Sequence, residues 1–131
     1  MGEPRKINRM FGEQPVHAEP GLARWRYVVR EEHFNPAGAL HGGVLSTLLD
    51  GAMGHALWTI ISAEEGPGAF SAAITLNVTF LSSMRTPGAT LTIEGRVVKR
   101  GKRIGFTEGI ATDEAGVELA RATSSYAILK R

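Results

Sequence analysis

The chain has 131 residues, 43% of them hydrophobic and 21% charged, with a formal net charge of +2. That length suits one domain with a real core, and so small a charge gives no general reason to expect a nucleic-acid or membrane partner. The absence of cysteine excludes disulfides, thiolate zinc sites and a cysteine nucleophile. Residues 1–20 carry Pro4, Pro15 and Pro20 without sustained periodicity. They read as a loosely structured lead-in with a short turn over residues 7–11, and residues 21–131 read as a single domain. The first 14 residues are polar and lack the apolar stretch of a secretory signal, so a cytoplasmic location is expected.

Residues 22–33 read as a strand, with Trp25, Tyr27 and Val29 on one face and Arg24, Arg26 and Val28 on the other. A loop punctuated by Pro36 and Gly38 follows. Residues 41–62, HGGVLSTLLDGAMGHALWTIIS, read as one helix. Leu45, Leu48, Leu49, Ala52, Met53, Ala56 and Ile60 repeat at helical spacing. Leu57, Trp58 and Ile61 make the opposite side apolar too, so other structure must wrap it. The run is roughly 33 Å long, enough to cross a bilayer. Asp50, His55, the glycines and the Ser/Thr residues argue instead for a buried central helix. Glu64, Glu65, Gly66, Pro67 and Gly68 end it.

Four strand patterns follow. Ala72, Ile74, Leu76, Val78 and Phe80 alternate with polar or small residues. So do Ala89, Leu91, Ile93 and Val97, then Ile104, Phe106 and Ile110, and last residues 117–129, whose pattern slips near Leu119 and Ala120. Residues 100–102 and 113–116 read as hairpin turns. The expected fold class is α+β, a long central helix wrapped by a curved antiparallel sheet of about five strands. One helix cannot also protect the sheet edges, so these should pair with a second chain.

Asp50 is the lone acid of the apolar helix. It is either satisfied by core hydrogen bonds, turned to solvent through a gap, or functional, since a buried unpartnered carboxylate costs several kcal/mol and perturbed carboxylates concentrate at sites. His41, Gly42 and Gly43 stand at the helix start, where free amides and the helix dipole favour developing negative charge. Glycine there either admits a ligand to the backbone or only lets the loop pack tightly. His41 and Asp50 are nine residues apart, about 900° of rotation and 13.5 Å of rise, and face opposite ways on one helix. If both serve one reaction, Asp50 comes from another subunit.

Asn35-Pro36-Ala37-Gly38-Ala39-Leu40-His41-Gly42-Gly43, with Asp50 nine residues after the histidine and Gly54 four further on, resembles the hotdog-fold acyl-CoA thioesterases of the PaaI-like (phenylacetyl-CoA thioesterase) family. The resemblance spans roughly residues 20–130, including Asn77-Val78-Thr79-Phe80 and the turn Lys99-Arg100-Gly101-Lys102. It implies hydrolysis of an acyl-CoA thioester without metal or redox cofactor, in a homodimer extended to a tetramer, with shared sites. It implies that the Gly42 amide polarises the thioester carbonyl, that Asn35 positions substrate or water, that Asp50 is nucleophile or general base across the interface, and that His41 orients its neighbours. Many such proteins carry Ser or Thr where this chain has Ala73, flanked on the same face by Ser71 and Thr75.

Gly43 joins the expected substrate-binding set. Lys99, Arg100, Lys102 and Arg103 are either a solvated turn or a seat for coenzyme A phosphates, with Arg85 a weaker candidate. His17, His33 and His55 show no metal spacing and read as structural; Trp25, Trp58, Met53 and Phe80 read as core. No phosphate-binding glycine loop, zinc motif or GxSxG is present. A non-catalytic acyl-CoA-binding or sensing module is the rival reading.

Overall fold

The computed structural model describes residues 11–130; the turn expected over residues 7–11 lies almost wholly outside them. The order is β1 (Gln14–Glu19), β2 (Leu22–Val28), a 3-10 turn (Glu31–His33), α1 (Gly42–Glu65), β3 (Ala69–Phe80), β4 (Thr90–Arg100), β5 (Ile104–Thr112) and β6 (Glu118–Lys130). Six strands form one antiparallel sheet in the order β1-β2-β4-β5-β6-β3. The expected helix-on-sheet architecture is present with one strand more than read from the sequence. That strand, β1, falls in the lead-in. Pro15 and Pro20 signal a break, yet an edge strand tolerates proline because one side of its backbone bonds to nothing in the sheet. β1 turns into β2 through Pro20-Gly21, where Gly21 takes φ 83, and the Gly21 N–H donates to Thr59 Oγ1 on α1 at 2.9 Å.

α1 is long and apolar enough, by length and composition alone, to cross a membrane. Here it lies across its own sheet, burying Leu45, Leu48, Leu49, Ala52, Met53, Leu57 and Ile61 against Trp25, Tyr27, Leu91 and Ile93. The close approach rests on missing side chains. A Cβ at Gly95 of β4 would stand 2.3 Å from the Ala52 carbonyl oxygen. The slip in the last strand pattern is a bulge: Ala111 pairs with Ala120 but Thr112 with Glu118. The extra residue, Leu119, and its neighbour Ala120 are both buried. The hairpin turns form as read, closed by the Gly101 N–H to Ile104 O at 2.9 Å and the Asp113 N–H to Val117 O at 3.0 Å.

The two edges differ. β1 is short, irregular at residues 15–17 and carries a proline, features that discourage further pairing. β3 runs 12 residues, and Ile74, Leu76 and Phe80 on it remain 55%, 41% and 53% exposed. Its outer backbone edge is uncovered among the described residues.

Glu13 is 7% exposed, and neither carboxylate oxygen finds a hydrogen-bond partner among the described residues. Burial pushes its pKa from 4.5 up to about 7. The folded chain therefore holds more protons than the unfolded chain between those values, and stability falls as pH rises through that window. Glu13→Gln should raise stability by about 1–3 kcal/mol at pH 8, and the gain should vanish below pH 4.5. Urea titrations at both pH values check this; an equal effect at each would refute it.

Candidate active site

α1 begins at Gly42 with His41 as its N-cap. Of the four amides that a helix leaves without internal partners, three are satisfied locally. The His41 N–H donates to the His33 carbonyl at 2.9 Å and the Val44 N–H to the His41 carbonyl at 3.0 Å, and Gly43 donates to His41 Nδ1 at 2.8 Å. The Gly42 N–H has no acceptor among the described residues. Because Nδ1 accepts, a neutral His41 carries its proton on Nε2. A Cβ at Gly43 would come 2.9 Å from that Nδ1, and one at Gly42 would come 2.9 Å from Phe80 Cζ. Phe80, expected in the core, lies instead as an exposed ring over Gly42. It is on the outermost strand and meets α1 only at the helix's first residue, so one face of the ring stays open.

Asn35 organises the loop before the helix. Its Oδ1 accepts from the Ala37 and Ala39 amides at 3.0 and 3.1 Å, which assigns the amide orientation. Arg85 Nη1 donates to the Ala37 carbonyl at 2.9 Å and pins the same loop. The Leu40 N–H donates to Met84 O at 2.8 Å and the His41 N–H to His33 O at 2.9 Å. Only the Asn35 Nδ2 amino group is left, so Asn35 can donate to a substrate oxygen or water but cannot accept a proton.

Asp50 is half-buried rather than deeply enclosed. Its Oδ1 accepts from the Tyr126 hydroxyl at 2.6 Å. Tyr126 was hidden in the sequence as one apolar-face position of the last strand; its one signal was a polar tip on a buried face. β3 adds a correction: a bulge at residues 73–75 puts Thr75 on the opposite face from Ala73. Ala73 pairs with Tyr126, whereas Thr75 pairs with Ser125 and bonds its hydroxyl at 2.7 Å. Only Ser71 keeps the face of Ala73.

Gly42 and Asp50 do not meet. Amides point along the helix axis, and eight residues separate the two by about 12 Å, several times the reach of an aspartate. The basic turn is at the other end of α1. There Arg100 is spent on structure: it bonds Glu64 at 3.1 Å and Glu65 at 3.3 Å and caps the Gly101 and Lys102 carbonyls. Lys99, Lys102 and Arg103 stay exposed. The histidines read as structural have side-chain partners. His17 contacts Glu19 at 2.9 Å, His55 accepts from Trp25 Nε1 at 2.9 Å, and His33 Nδ1 is 2.6 Å from the Tyr27 hydroxyl. A groove of about 340 Å³, lined by Asn77, Thr79, Glu94, Arg96, Glu108 and Arg121 among others, lies on the sheet face away from α1 and contains neither Gly42 nor Asp50.

Residues 37–120, from the Asn35 loop through the helix to the last strand, match the thioesterase superfamily model. The chain belongs to the thioesterase superfamily. Human acyl-coenzyme A thioesterase 13 is 34% identical over 117 residues, 88% of this chain and 79% of that protein. The Escherichia coli PaaI protein of the phenylacetic acid degradation operon superposes with a TM-score of 0.83 at 21% identity, over 95% of this chain and 85% of its own; this likeness shows the hotdog fold. A Streptococcus mutans protein solved with bound acetyl-CoA superposes with a TM-score of 0.79 at 25% identity, covering 92% of this chain and 90% of its own.

Proposed function

We propose that this thioesterase-superfamily chain hydrolyses acyl-CoA thioesters, with the Gly42 amide polarising the thioester carbonyl and Asp50 of a second copy as nucleophile or general base. The observation that carries this is the Gly42 amide at the α1 N-terminus, unsatisfied among the described residues and aimed where a carbonyl oxygen gains charge. One such donor is worth about 3 kcal/mol of barrier. The acetyl-CoA bound by the Streptococcus mutans protein and the name of the human relative support the substrate class. No metal or redox cofactor is needed for these roles. Asn35 Nδ2 donates to the carbonyl or water; His41 holds the cap. Lys99, Lys102 and Arg103 remain candidates for coenzyme A phosphates.

The β3 register supports a shared site. Phe80, at one end, lies over Gly42; Ala73 pairs with Tyr126, which binds Asp50. A two-fold antiparallel pairing of β3 with its copy, centred between Leu76 and Asn77, exchanges positions 73 and 80. It carries Asp50 of each chain towards Gly42 of the other, twice per dimer. Assembly to a tetramer would extend this dimer.

The test is thiol release from short, long and aromatic acyl-CoAs, run on an Asn35→Ala/His41→Ala chain and an Asp50→Ala chain, separately and after co-refolding. Each alone should be inactive. In a mixed dimer one site collects every substitution and the other none, so random assembly restores about a quarter of wild-type activity. No recovery, with subunit exchange confirmed by mass spectrometry, rules out sharing. No thiol release by the wild type from any acyl-CoA rules out the substrate class.

A further inference from the structure

We infer that Tyr126 is a positioning residue for Asp50: its hydroxyl ties up one carboxylate oxygen, so that Oδ2 is the oxygen that reacts. The inference rests on the role proposed for Asp50. The hydroxyl stands 2.6 Å from Oδ1 and 2.9 Å from the Asp50 main-chain carbonyl oxygen. A phenol has one proton to give. The shorter contact, within the range of a hydroxyl on a carboxylate, takes it, and the carbonyl contact keeps the hydroxyl beside the helix backbone.

The tyrosine is itself held. It is 4% exposed, and β6 sets it between Gly105 of β5 and Ala73 of β3. Both neighbours are small, which leaves room for the ring to lean towards α1. A tyrosine has two rotatable side-chain bonds, and packing between strands fixes both. Asp50 has two of its own and would otherwise sample several rotamers from a half-buried position. Bonding Oδ1 to a rigid partner on the sheet selects one, at the cost of one acceptor. Ala73, directly across the ladder, has no hydroxyl to offer, so this duty falls on β6.

The consequence is chemical. If Asp50 activates water, the proton goes to Oδ2 as the hydroxide adds to the carbonyl carbon and the C–S bond breaks to release the coenzyme A thiolate. If Asp50 attacks the carbon itself, Oδ2 forms the bond, the C–S bond breaks to release the same thiolate, and water then cleaves the acyl anhydride. In both cases Oδ1 stays with Tyr126, and the carboxylate arrives already oriented, which is where such positioning lowers a barrier.

Tyr126→Phe removes the hydroxyl and keeps the ring. Its kcat should fall about tenfold while KM changes less than about twofold and the melting temperature stays close to wild type. Loss of an orienting bond acts on the chemical step rather than on binding, so the fall should appear in kcat and not in KM. A kcat that stays at the wild-type value, or a KM that rises as much as kcat falls, overturns the positioning role. Asp50→Asn is measured alongside. If it keeps wild-type turnover, the reading of Asp50 itself fails. If it is inactive while Tyr126→Phe matches wild type in kcat and KM, only the reading of Tyr126 fails.

Discussion

Asp50→Asn is expected to lower kcat for acyl-CoA by about 10³-fold while leaving a folded assembly. The substitution keeps the volume and the planar shape of the side chain. Its carbonyl oxygen can still accept from Tyr126, in place of the 2.6 Å bond of the carboxylate, so packing on this side of α1 is preserved. With Oδ1 so placed, the amide nitrogen occupies the position of Oδ2. An acceptor that could take a proton or form an acyl bond is replaced by a donor that can do neither. Under the role proposed for Asp50, both chemical routes are closed by one change, so this should be the most damaging conservative substitution in the site. Steady-state thiol release together with a melting curve checks it. A variant within about tenfold of wild type would show that the carboxylate is not essential.

The second large effect concerns stability. Gly95→Ala should destabilise the fold by about 3 kcal/mol or more, and Gly95→Val should prevent accumulation of folded protein. The added Cβ would meet Ala52 O at 2.3 Å, Ala52 C at 2.4 Å and Met53 N at 2.5 Å, all main-chain atoms in the middle of α1. A flexible side chain could move away; a hydrogen-bonded helix backbone cannot. The helix would have to lift from the sheet, and every apolar contact in the layer between them would loosen. Against a usual total of about 5–15 kcal/mol, that is a large share. Gly116→Ala is the contrast. Its φ is 83 with nothing within 4 Å of the added atom, so it should cost only about 1–2 kcal/mol of backbone strain. Urea unfolding of both variants measures the difference, and a Gly95→Ala protein within 1 kcal/mol of wild type would contradict the packing argument.

What could be read from the sequence follows from how locally each feature is determined. α1 was legible because its apolar spacing and its end at Gly66 are properties of neighbouring residues; it runs from Gly42 to Glu65. The pattern slip near Leu119 was visible for the same reason, and a bulge is its cause. β1 was not legible, because a proline-bearing edge strand with two half-buried positions leaves almost no periodic trace. Simple alternation puts Thr75 on the face of Ala73, because it cannot anticipate the bulge that turns Thr75 to the other side. At the site, the helix start and Asp50 stand out by contrast with their apolar surroundings. Tyr126 does not, since its importance depends on an alignment between residues 76 positions apart. Nor does the sequence tell that Arg100 is bound to Glu64 and Glu65, because both partners belong to a different element.

The capping by His41 also bears on which ligands the helix terminus can discriminate. A phosphate group is held at such a position by several amides acting together. Here, among the described residues, the His33 carbonyl, the His41 ring and the His41 carbonyl take all but the Gly42 amide. Under the role proposed for Gly42, what remains is a socket for a single oxygen atom. The same dipole that would draw any anion is thus narrowed to a carbonyl-sized acceptor, and a substrate that carries phosphates of its own has no reason to bind this end of the helix the wrong way round.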